Sequence, residues 1–223
     1  GIEPTGSQDP YALRRQAMGI CQTILAQNLD LDLDLLIDRA LGQYAFVCPE
    51  ESRQGVHDKI KEFFAARLKN ILSDQGHRYD VVEAVMAVNW QQLQTVVDRA
   101  RALSALREDA AFVKLLAVFT RANNLAKKEN SRLINPQILT EASELALYEA
   151  LQKAQGELDK VKAEQGLEGV IHLLSSLAGP INDFFDNVMV MAEDEDLRSS
   201  RLAMLNAIVE MSRLVGDLSK LTD

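Results

Sequence analysis

The sequence predicts an all-α protein, a multi-helix bundle of roughly nine or ten helices in a chain of 223 residues. Apolar residues recur at the three- and four-residue spacing of amphipathic helices along almost the whole chain. No two alternating apolar runs are joined by a hairpin turn. Gly and Pro, which punctuate loop-rich chains, number only 11 and 5, and 47% hydrophobic residues suffice for a substantial core.

The first helix is predicted to begin with Asp9 as its N-cap and Pro10 in its first turn, where the missing N–H of proline does no harm. Its inward-facing residues fall on one stripe: Leu13, Ala17, Ile20, Ile24 and Leu25. This helix therefore buries one side against the rest of the bundle.

In the stretch NLDLDLDLLIDRAL, Asp30, Asp32 and Asp34 alternate with leucines, a pattern compatible with a calcium loop, a strand or a helix start. An EF-hand loop requires Gly at its sixth position and Glu at its twelfth, which here are Leu35 and Leu41. The alternation suits a strand, but the apolar spacing that follows is helical. We favour a helix with one of the three aspartates as its N-cap or first-turn carboxylate.

Four further helices are predicted before the clearest internal break, the Asn135-Pro136 dipeptide. They cover residues 52–76, 79–88, 89–106 and 108–128. Gly76 is expected just past the end of the first, and Asn89 is expected to cap the third. Their inward-facing residues include Val56, Ile60, Phe63, Phe64, Leu68 and Leu72 in the first and Phe112, Leu115, Leu116, Phe119 and Ala122 in the last.

Beyond the break, helices are predicted over residues 139–158, 166–179, 180–196 and 196–221. Thr140 with Ser143 and Glu144 resembles a capping box at the start of the first, and Pro180 is expected to open the third. The inward-facing residues of the last helix are Leu202, Leu205, Ile208, Val209 and Leu214.

The net charge of −9 is distributed unevenly along the chain. Residues 1–135 carry 17 basic and 17 acidic side chains, whereas residues 136–223 carry 7 and 16. A nucleic-acid-binding protein normally shows a basic footprint, so the total argues against one. The neutral half can still present a basic face, although solvated helix faces with charge pairs are the simpler interpretation.

The two cysteines, Cys21 and Cys48, both lie on apolar faces and are predicted to be buried, reduced thiols. No apolar run reaches the length that crosses a bilayer, and no secretory leader is visible. We therefore expect a cytoplasmic protein. Because the chain starts at Gly1 with a lead rich in Pro and Gly, it is expected to be a segment of a longer polypeptide.

The sequence offers little for catalysis. His57, His77 and His172 form no metal-ligand spacing, and no phosphate-binding glycine loop or nucleophile elbow occurs. A metal-dependent hydrolase at His57-Asp58 is the weakest alternative, because it needs further histidines. The acidic run 193–196 is interpreted as a solvated helix start rather than a pair of catalytic acids. We expect no catalytic residue and no metal site in this chain.

Three stretches taken together resemble one family: residues 4–20, PTGSQDPYALRRQAMGI; residues 119–128, FTRANNLAKK; and residues 184–205, FFDNVMVMAEDEDLRSSRLAML. They are similar to the C-terminal part of the β subunit of bacterial tetrameric glycyl-tRNA synthetases, and their order and spacing match over essentially the whole chain. The Asp-Ala-Leu-Arg signature of the corresponding domain does not occur literally; Asp196-Leu197-Arg198 is the nearest match.

The resemblance implies a role in tRNA aminoacylation. In this family the α subunits activate glycine with ATP, aided by Mg²⁺, and the β subunits bind tRNA. Residues 107–223 would be the helical anticodon-binding domain shared with arginyl-tRNA synthetase, and residues 1–106 a helical linker after an upstream domain. The implied partners are glycine-accepting tRNA and the α subunit of a heterotetramer, with no membrane, no DNA and no cofactor in this chain. The alternative is a non-catalytic helical scaffold for protein interactions.

The predicted RNA-binding residues are Arg121, Asn124, Lys127, Lys128 and Arg132. The first four occupy positions i, i+3, i+6 and i+7 of one helix and share a broad face, and two of them, Arg121 and Asn124, match motif residues of the family. The alternative is that Asn124 caps or packs and that the lysines are merely solvated.

Six other residues receive structural interpretations. Arg198 and Arg201 are expected to neutralise the acidic run 193–196 rather than to bind phosphates. Core positions are predicted for Phe184, Phe185, Met189 and Met191, since aromatic residues at helical spacing are usually buried. Trp90, beside the predicted cap Asn89, is the one aromatic residue whose exposure is left open.

Overall fold

The computed structural model describes residues 9, 11–44, 50–107, 110–129 and 131–222. Within these ranges the chain forms nine α-helices, two short 3-10 helices and a single isolated β-bridge, so the predicted all-α class is confirmed. The chain divides into two compact units, residues 1–101 and 102–223. The functional roles assigned to residues 1–106 and 107–223 stay predictions.

Most helices lie close to their predicted ranges, but α8 ends at Asn187 and not at 196, and α9 ends at Ser212 and not at 221. In chain order they are α1 (Leu13–Ala26), α2 (Leu33–Gln43), α3 (Glu50–Asp74), α4 (Tyr79–Met86), α5 (Leu93–Leu106), α6 (Ala110–Ala126), α7 (Ala142–Ser176), α8 (Ala178–Asn187) and α9 (Glu195–Ser212). The 3-10 helices are Pro136–Ile138 and Leu218–Lys220. No helix in the described ranges has the length and apolar content needed to cross a membrane.

The N-cap of α1 is Ala12 and not Asp9 as predicted, because the helix begins later, but the Asp9 side chain still accepts hydrogen bonds from its first turn. The two carboxylate oxygens of Asp9 accept hydrogen bonds from the backbone N–H groups of Leu13 and Arg14 at 2.8 and 2.9 Å. Pro10 lies outside the described residues. Ile20, predicted to face inward, is exposed, whereas Cys21 beside it is completely buried. Burial raises the pKa of the Cys21 thiol to about 11, which keeps it protonated at neutral pH. Cys48 also lies outside the described residues.

The alternating Asp/Leu stretch begins helix α2, and the calcium-loop and strand interpretations are wrong. Asp32 is the N-cap, and its Oδ1 accepts the backbone N–H of Leu35 at 3.1 Å. The strand-like alternation survives only as one bridge, in which the N–H of Leu33 donates to the carbonyl of Gln91 at 3.0 Å.

Replacing the cap residue is expected to weaken the first unit. Asp32→Ala should lower the free energy of unfolding by about 1 kcal/mol, because one first-turn N–H loses its acceptor. Asp30→Ala is the matched control, since the exposed Asp30 side chain has no hydrogen-bond partner among the described residues. Urea denaturation monitored by circular dichroism measures both; equal losses for the two variants would contradict the capping role.

Two predicted helix ends in the first unit have opposite outcomes. Gly76 takes φ +88° just beyond α3 and donates its N–H to Ser73, which confirms it as the residue that ends the helix. Asn89 does not cap α5, which begins four residues later. Its carbonyl instead accepts a hydrogen bond from Nη1 of Arg99 at 2.6 Å. Trp90, beside it, is half-buried.

The second unit is organised around α6 and α9, which pack against each other. All five residues predicted to face inward from α6 that are described are buried: Phe112, Leu115, Leu116, Phe119 and Ala122. The two helices predicted over 139–158 and 166–179 both lie within α7, and the break between them is a kink at Gly166, where the backbone is not helical. Gly166 takes φ 61° and ψ −148°, outside the helical region, and this allows the bend.

The core prediction is confirmed for Phe184 and Phe185 and wrong for Met189 and Met191. Both phenylalanines are buried in α8, but the two methionines are 78% and 42% exposed. The physical reason is that α8 ends at Asn187 and Val188 is extended, so burial over residues 188–191 alternates at every second position instead of following the helical period. The valines between the methionines therefore point inward instead, at positions 188 and 190.

Candidate nucleic-acid interface

The segment that links α6 to α7 is held against α9 by short polar side chains. The Oγ of Ser200 accepts the N–H of Asn135 at 2.9 Å, and the hydroxyls of Ser131 and Ser199 lie 2.6 Å apart. The Nδ2 of Asn206 donates to the carbonyls of residues 129 and 131 at 3.0 and 2.9 Å. Helix α9 therefore fixes the path of this segment, which carries part of the predicted basic surface.

A buried ion pair ties the start of α7 to α9. Glu144 is completely buried, and its Oε1 lies 2.5 Å from Nε of Arg201. Its Oε2 accepts the backbone N–H groups of Thr140 and Glu141, both at 2.9 Å. The capping interaction predicted around Thr140 thus exists, but it is shifted by one residue, because Glu141 is the N-cap. Nη1 of Arg201 also donates to the carbonyl of Met189 at 2.8 Å.

The two arginines of α9 have different partners from one another. Arg198 lies 3.6 Å from Glu195, as predicted, and also 3.7 Å from Glu129. The same prediction is wrong for Arg201, which points into the unit and pairs with Glu144, 57 positions earlier in the chain. The acidic run starts α9 as predicted, with Asp194 as N-cap accepting the N–H of residue 197 at 2.9 Å.

The five predicted RNA-binding residues are all exposed, and we call them the α6 basic surface: Arg121, Asn124, Lys127, Lys128 and Arg132. No carboxylate oxygen of the described residues lies within 4.0 Å of their cationic nitrogens. Helix α6 ends at Ala126, and Lys127 and Lys128 lie in the turn just beyond it, next to the helix C-terminus, where positive charge is favoured by the helix dipole. Within the described residues, Asn124 makes no side-chain hydrogen bond that would explain it as a cap.

The guanidinium of Arg121 lies over a buried aromatic ring. Its Cζ is 4.2 Å from the ring centroid of Phe185, in cation–π geometry. Phe185 is therefore a core residue that supports Arg121 from below and is itself inaccessible for stacking. The exposed guanidinium is a preoriented plane of the kind on which unstacked bases lie in protein–RNA complexes.

Exposed apolar side chains lie on the two segments that α9 anchors. Leu133 is 83% exposed on the α6–α7 segment, and Met189 is on the segment after α8. Arg198 contacts both segments, since it pairs with Glu129 and donates to the carbonyl of Ala192 at 3.0 Å. The basic surface is thus accompanied by apolar side chains that a base or a protein partner can cover.

The sequence interpretation missed Asn123, which faces a small cavity beneath the α6 basic surface. The cavity has a volume of about 50 Å³ and is lined by residues of α6, α9 and the last 3-10 helix: Phe119, Asn123, Lys127, Val209, Ser212, Arg213, Asp217, Leu218 and Ser219. A signal was present, because Asn123 follows the buried Phe119 by four positions and so occupies a core-facing row of α6. A polar residue in such a row requires an explanation.

The histidine considered for hydrolase chemistry lies in the first unit. Nε2 of His57 is 3.9 Å from carboxylate oxygens of Asp34 and of Asp38, and its Nδ1 is 3.7 Å from Asp58. In the part of the chain that the structure describes, no group of three or more His, Cys, Asp or Glu side chains is arranged to hold a metal ion. The hydrolase alternative gains no support from this geometry.

The described residues define a two-unit, all-α protein whose second unit carries a cationic candidate recognition surface. Residues 1–87 match the family model described as glycyl-tRNA synthetase beta subunit, and residues 115–215 match the DALR anticodon binding domain. The resemblance found in the sequence is confirmed: the chain belongs to the glycyl-tRNA synthetase β-subunit family and contains a DALR anticodon-binding domain.

Alignments with individual relatives extend over almost the whole chain. It is 41% identical over 222 residues to the glycine–tRNA ligase beta subunit of Desulforamulus reducens, and 38% identical over 224 residues to that of Moorella thermoacetica. The corresponding protein of Desulforudis audaxviator is 36% identical over 220 residues. Each alignment covers 99% of this chain and 32% of the relative, so the chain spans about a third of the length of the curated relatives it matches.

Proposed function

We propose that this chain binds glycine-accepting tRNA and that the α6 basic surface of its second unit contacts the anticodon region. The domain match and the names of the relatives support tRNA binding within a glycine–tRNA ligase. The residue-level assignment is supported by one observation above all. Four exposed cations, Arg121, Lys127, Lys128 and Arg132, occur in the second half of α6 and the segment that follows it, and no carboxylate of the described residues forms an ion pair with them.

The chemistry of single-stranded RNA recognition fits this surface. Lysines and Arg132 would neutralise backbone phosphates, which positions the RNA. The Arg121 plane, held on Phe185, would stack on a base, and the amide of Asn124 can both donate to and accept from a base edge. These roles need no proton transfer and no metal ion in this chain.

The rest of the reaction would be carried out elsewhere in the enzyme. We propose that the α subunit of a heterotetramer activates glycine with ATP and Mg²⁺ in the cytoplasm, while the β chain holds the tRNA. This part of the proposal rests on the family resemblance. The chain's own contribution is binding and orientation of the RNA.

A titration with tRNA transcripts tests the proposal. The 223-residue chain should bind a glycine-accepting transcript about 10-fold more tightly than the same transcript with changed anticodon bases, because each lost base contact is worth roughly 1–3 kcal/mol. If four phosphates are contacted, log affinity should fall against log salt with a slope of roughly −3 to −4. Equal affinity for both transcripts would contradict recognition of the anticodon bases. If neither transcript binds, the whole proposal is wrong.

The exposed Leu133, Met189 and Met191 favour a second candidate, a helical scaffold that docks another protein through apolar contacts. The same titration separates the two functions, because a scaffold needs no preference for an anticodon. Replacing Leu133 and Met189 by Ser should leave the tRNA affinity unchanged if these side chains serve only a protein partner.

A further inference from the structure

The cavity behind the α6 basic surface has polar groups whose hydrogen-bonding needs are unequally satisfied. Nδ2 of Asn123 is buried and has no hydrogen-bond partner among the described residues. Lys127 lines the same cavity from the turn that follows α6, and it has no ion-pair partner among the described residues. Arg213 supplies a second cation, and its pair with Glu210 at 3.3 Å is exposed and therefore weak.

Other polar groups of the cavity already make hydrogen bonds within the protein. Ser212 donates its hydroxyl to the carbonyl of Val209 at 2.7 Å. Oδ1 of Asp217 accepts both the N–H and the hydroxyl of Ser219, at 3.1 and 2.6 Å, and so caps the last 3-10 helix. Asp217 offsets one of the two positive charges of Lys127 and Arg213, and Arg213 is also paired with Glu210. What remains unsatisfied is therefore the amide donor of Asn123 beside Lys127, which has no ion-pair partner among the described residues.

We propose that this cavity binds one phosphate group of the RNA backbone. The Nδ2 of Asn123 donates to a phosphate oxygen, and Lys127 and Arg213 neutralise its charge, as charge-assisted donors do at phosphate sites. This inference rests on the proposed function and adds to it a backbone contact that fixes the register of the RNA without reading sequence. Among the residues involved, only Lys127 belongs to the α6 basic surface.

The cavity has room for phosphate oxygens, because its volume of about 50 Å³ exceeds the roughly 10–15 Å³ that one water molecule needs on the same measure. The buried donor without an acceptor also favours an occupant rich in acceptors, since an unsatisfied buried polar group carries a free-energy penalty.

Free phosphate and RNA phosphate share this chemistry, so the first experiment uses inorganic phosphate alone. In NMR spectra of the 15N-labelled 223-residue chain, the side-chain amide of Asn123 should shift on titration, with half-saturation on the order of millimolar. Lys127→Gln should weaken this binding about 10-fold. Lys114→Gln, which removes an exposed lysine of α6 outside the cavity, should leave it unchanged.

The second experiment measures tRNA affinity as a function of salt. Lys127→Gln should weaken binding about 10-fold and reduce the magnitude of the salt slope by about 1, because one phosphate contact is lost. Asn123→Ala should weaken binding about 5- to 10-fold with an unchanged slope, since a neutral donor is removed. Its melting temperature should not fall, because the Asn123 amide has no intramolecular partner to lose.

The outcomes separate this inference from the proposed function. If tRNA binds normally to Asn123→Ala and Lys127→Gln and still discriminates the anticodon, the phosphate site is wrong and the proposed function stands. If Asn123 shifts with inorganic phosphate but no tRNA binds, the assignment to RNA fails together with the proposed function. A drop in melting temperature of Asn123→Ala without any loss of affinity would show that Asn123 is structural, and would also overturn the inference.

Discussion

Replacing Glu144 with Ala is expected to lower the free energy of unfolding of the second unit by about 3–5 kcal/mol, the cost of breaking a buried ion pair from one side. Arg201 would keep its charge inside the unit with no carboxylate at its Nε. The backbone N–H groups of Thr140 and Glu141 would lose their shared acceptor at the start of α7. The loss is large because Glu144 is completely buried, so water cannot replace what is removed.

Urea denaturation of the variants measures this effect. Glu149→Ala removes an exposed glutamate of the same helix and should change the free energy of unfolding by less than about 0.5 kcal/mol. Replacing Glu144 and Arg201 together by Met should recover much of the loss, because no buried charge then remains unpaired. A loss below about 1 kcal/mol for Glu144→Ala would show that the pair contributes little, and that α7 is held to α9 by apolar packing alone.

The helix ends that the sequence predicts well are those set by neighbouring residues. Asp32 caps α2 through a residue three positions away, and Gly76 ends α3 by adopting a left-handed conformation. Asn135 accepts the N–H of residue 137 and starts a 3-10 helix at Pro136, so the predicted break is present. These interactions lie within a few positions of one another, and local residue types therefore suffice to predict them.

The predictions that failed depend on partners far away in the chain or on a change of period. Arg201 was assigned to the adjacent acidic run because its real partner, Glu144, lies 57 positions earlier. Met189 and Met191 were placed in the core by continuing the helical period of α8 beyond Asn187, where the helix ends. Where the backbone changes from helix to extended chain, the set of buried residues changes with it.

In the candidate site too, the features set by nearby residues were predictable from the sequence, and those that depend on distant residues were not. The exposure of Arg121, Asn124 and the lysines follows from the spacing of one helix and was predictable from the sequence. The cavity at Asn123 was not, because its walls also come from the end of α9 and from the last 3-10 helix, about 90 positions later. Periodicity shows that Asn123 faces inward, but only the packed structure shows that it meets two cations there.

Reversing the charge of Lys127, Lys128 and Arg132 to Glu is expected to reduce tRNA affinity at least about 100-fold at physiological salt. Each of these residues is exposed and would neutralise a phosphate in the proposed complex, and each replacement adds repulsion to the lost attraction. The fold should tolerate the change, since within the described residues the three side chains have no ion pair to lose. Loss of favourable charge at the end of α6 should cost about 1–2 kcal/mol at most.

A matched control is needed because the triple variant also makes an acidic chain more acidic. Lys153, Lys160 and Lys162 are three exposed lysines of α7 in the same unit, and reversing them changes the net charge by the same amount. If binding depends on the position of the charges around the end of α6, the control should retain affinity within about 3-fold, since exposed charges more than a Debye length from the RNA are screened. If both triple variants lose affinity equally, tRNA affinity depends on the overall charge of the chain, and the α6 basic surface is not the RNA-binding site.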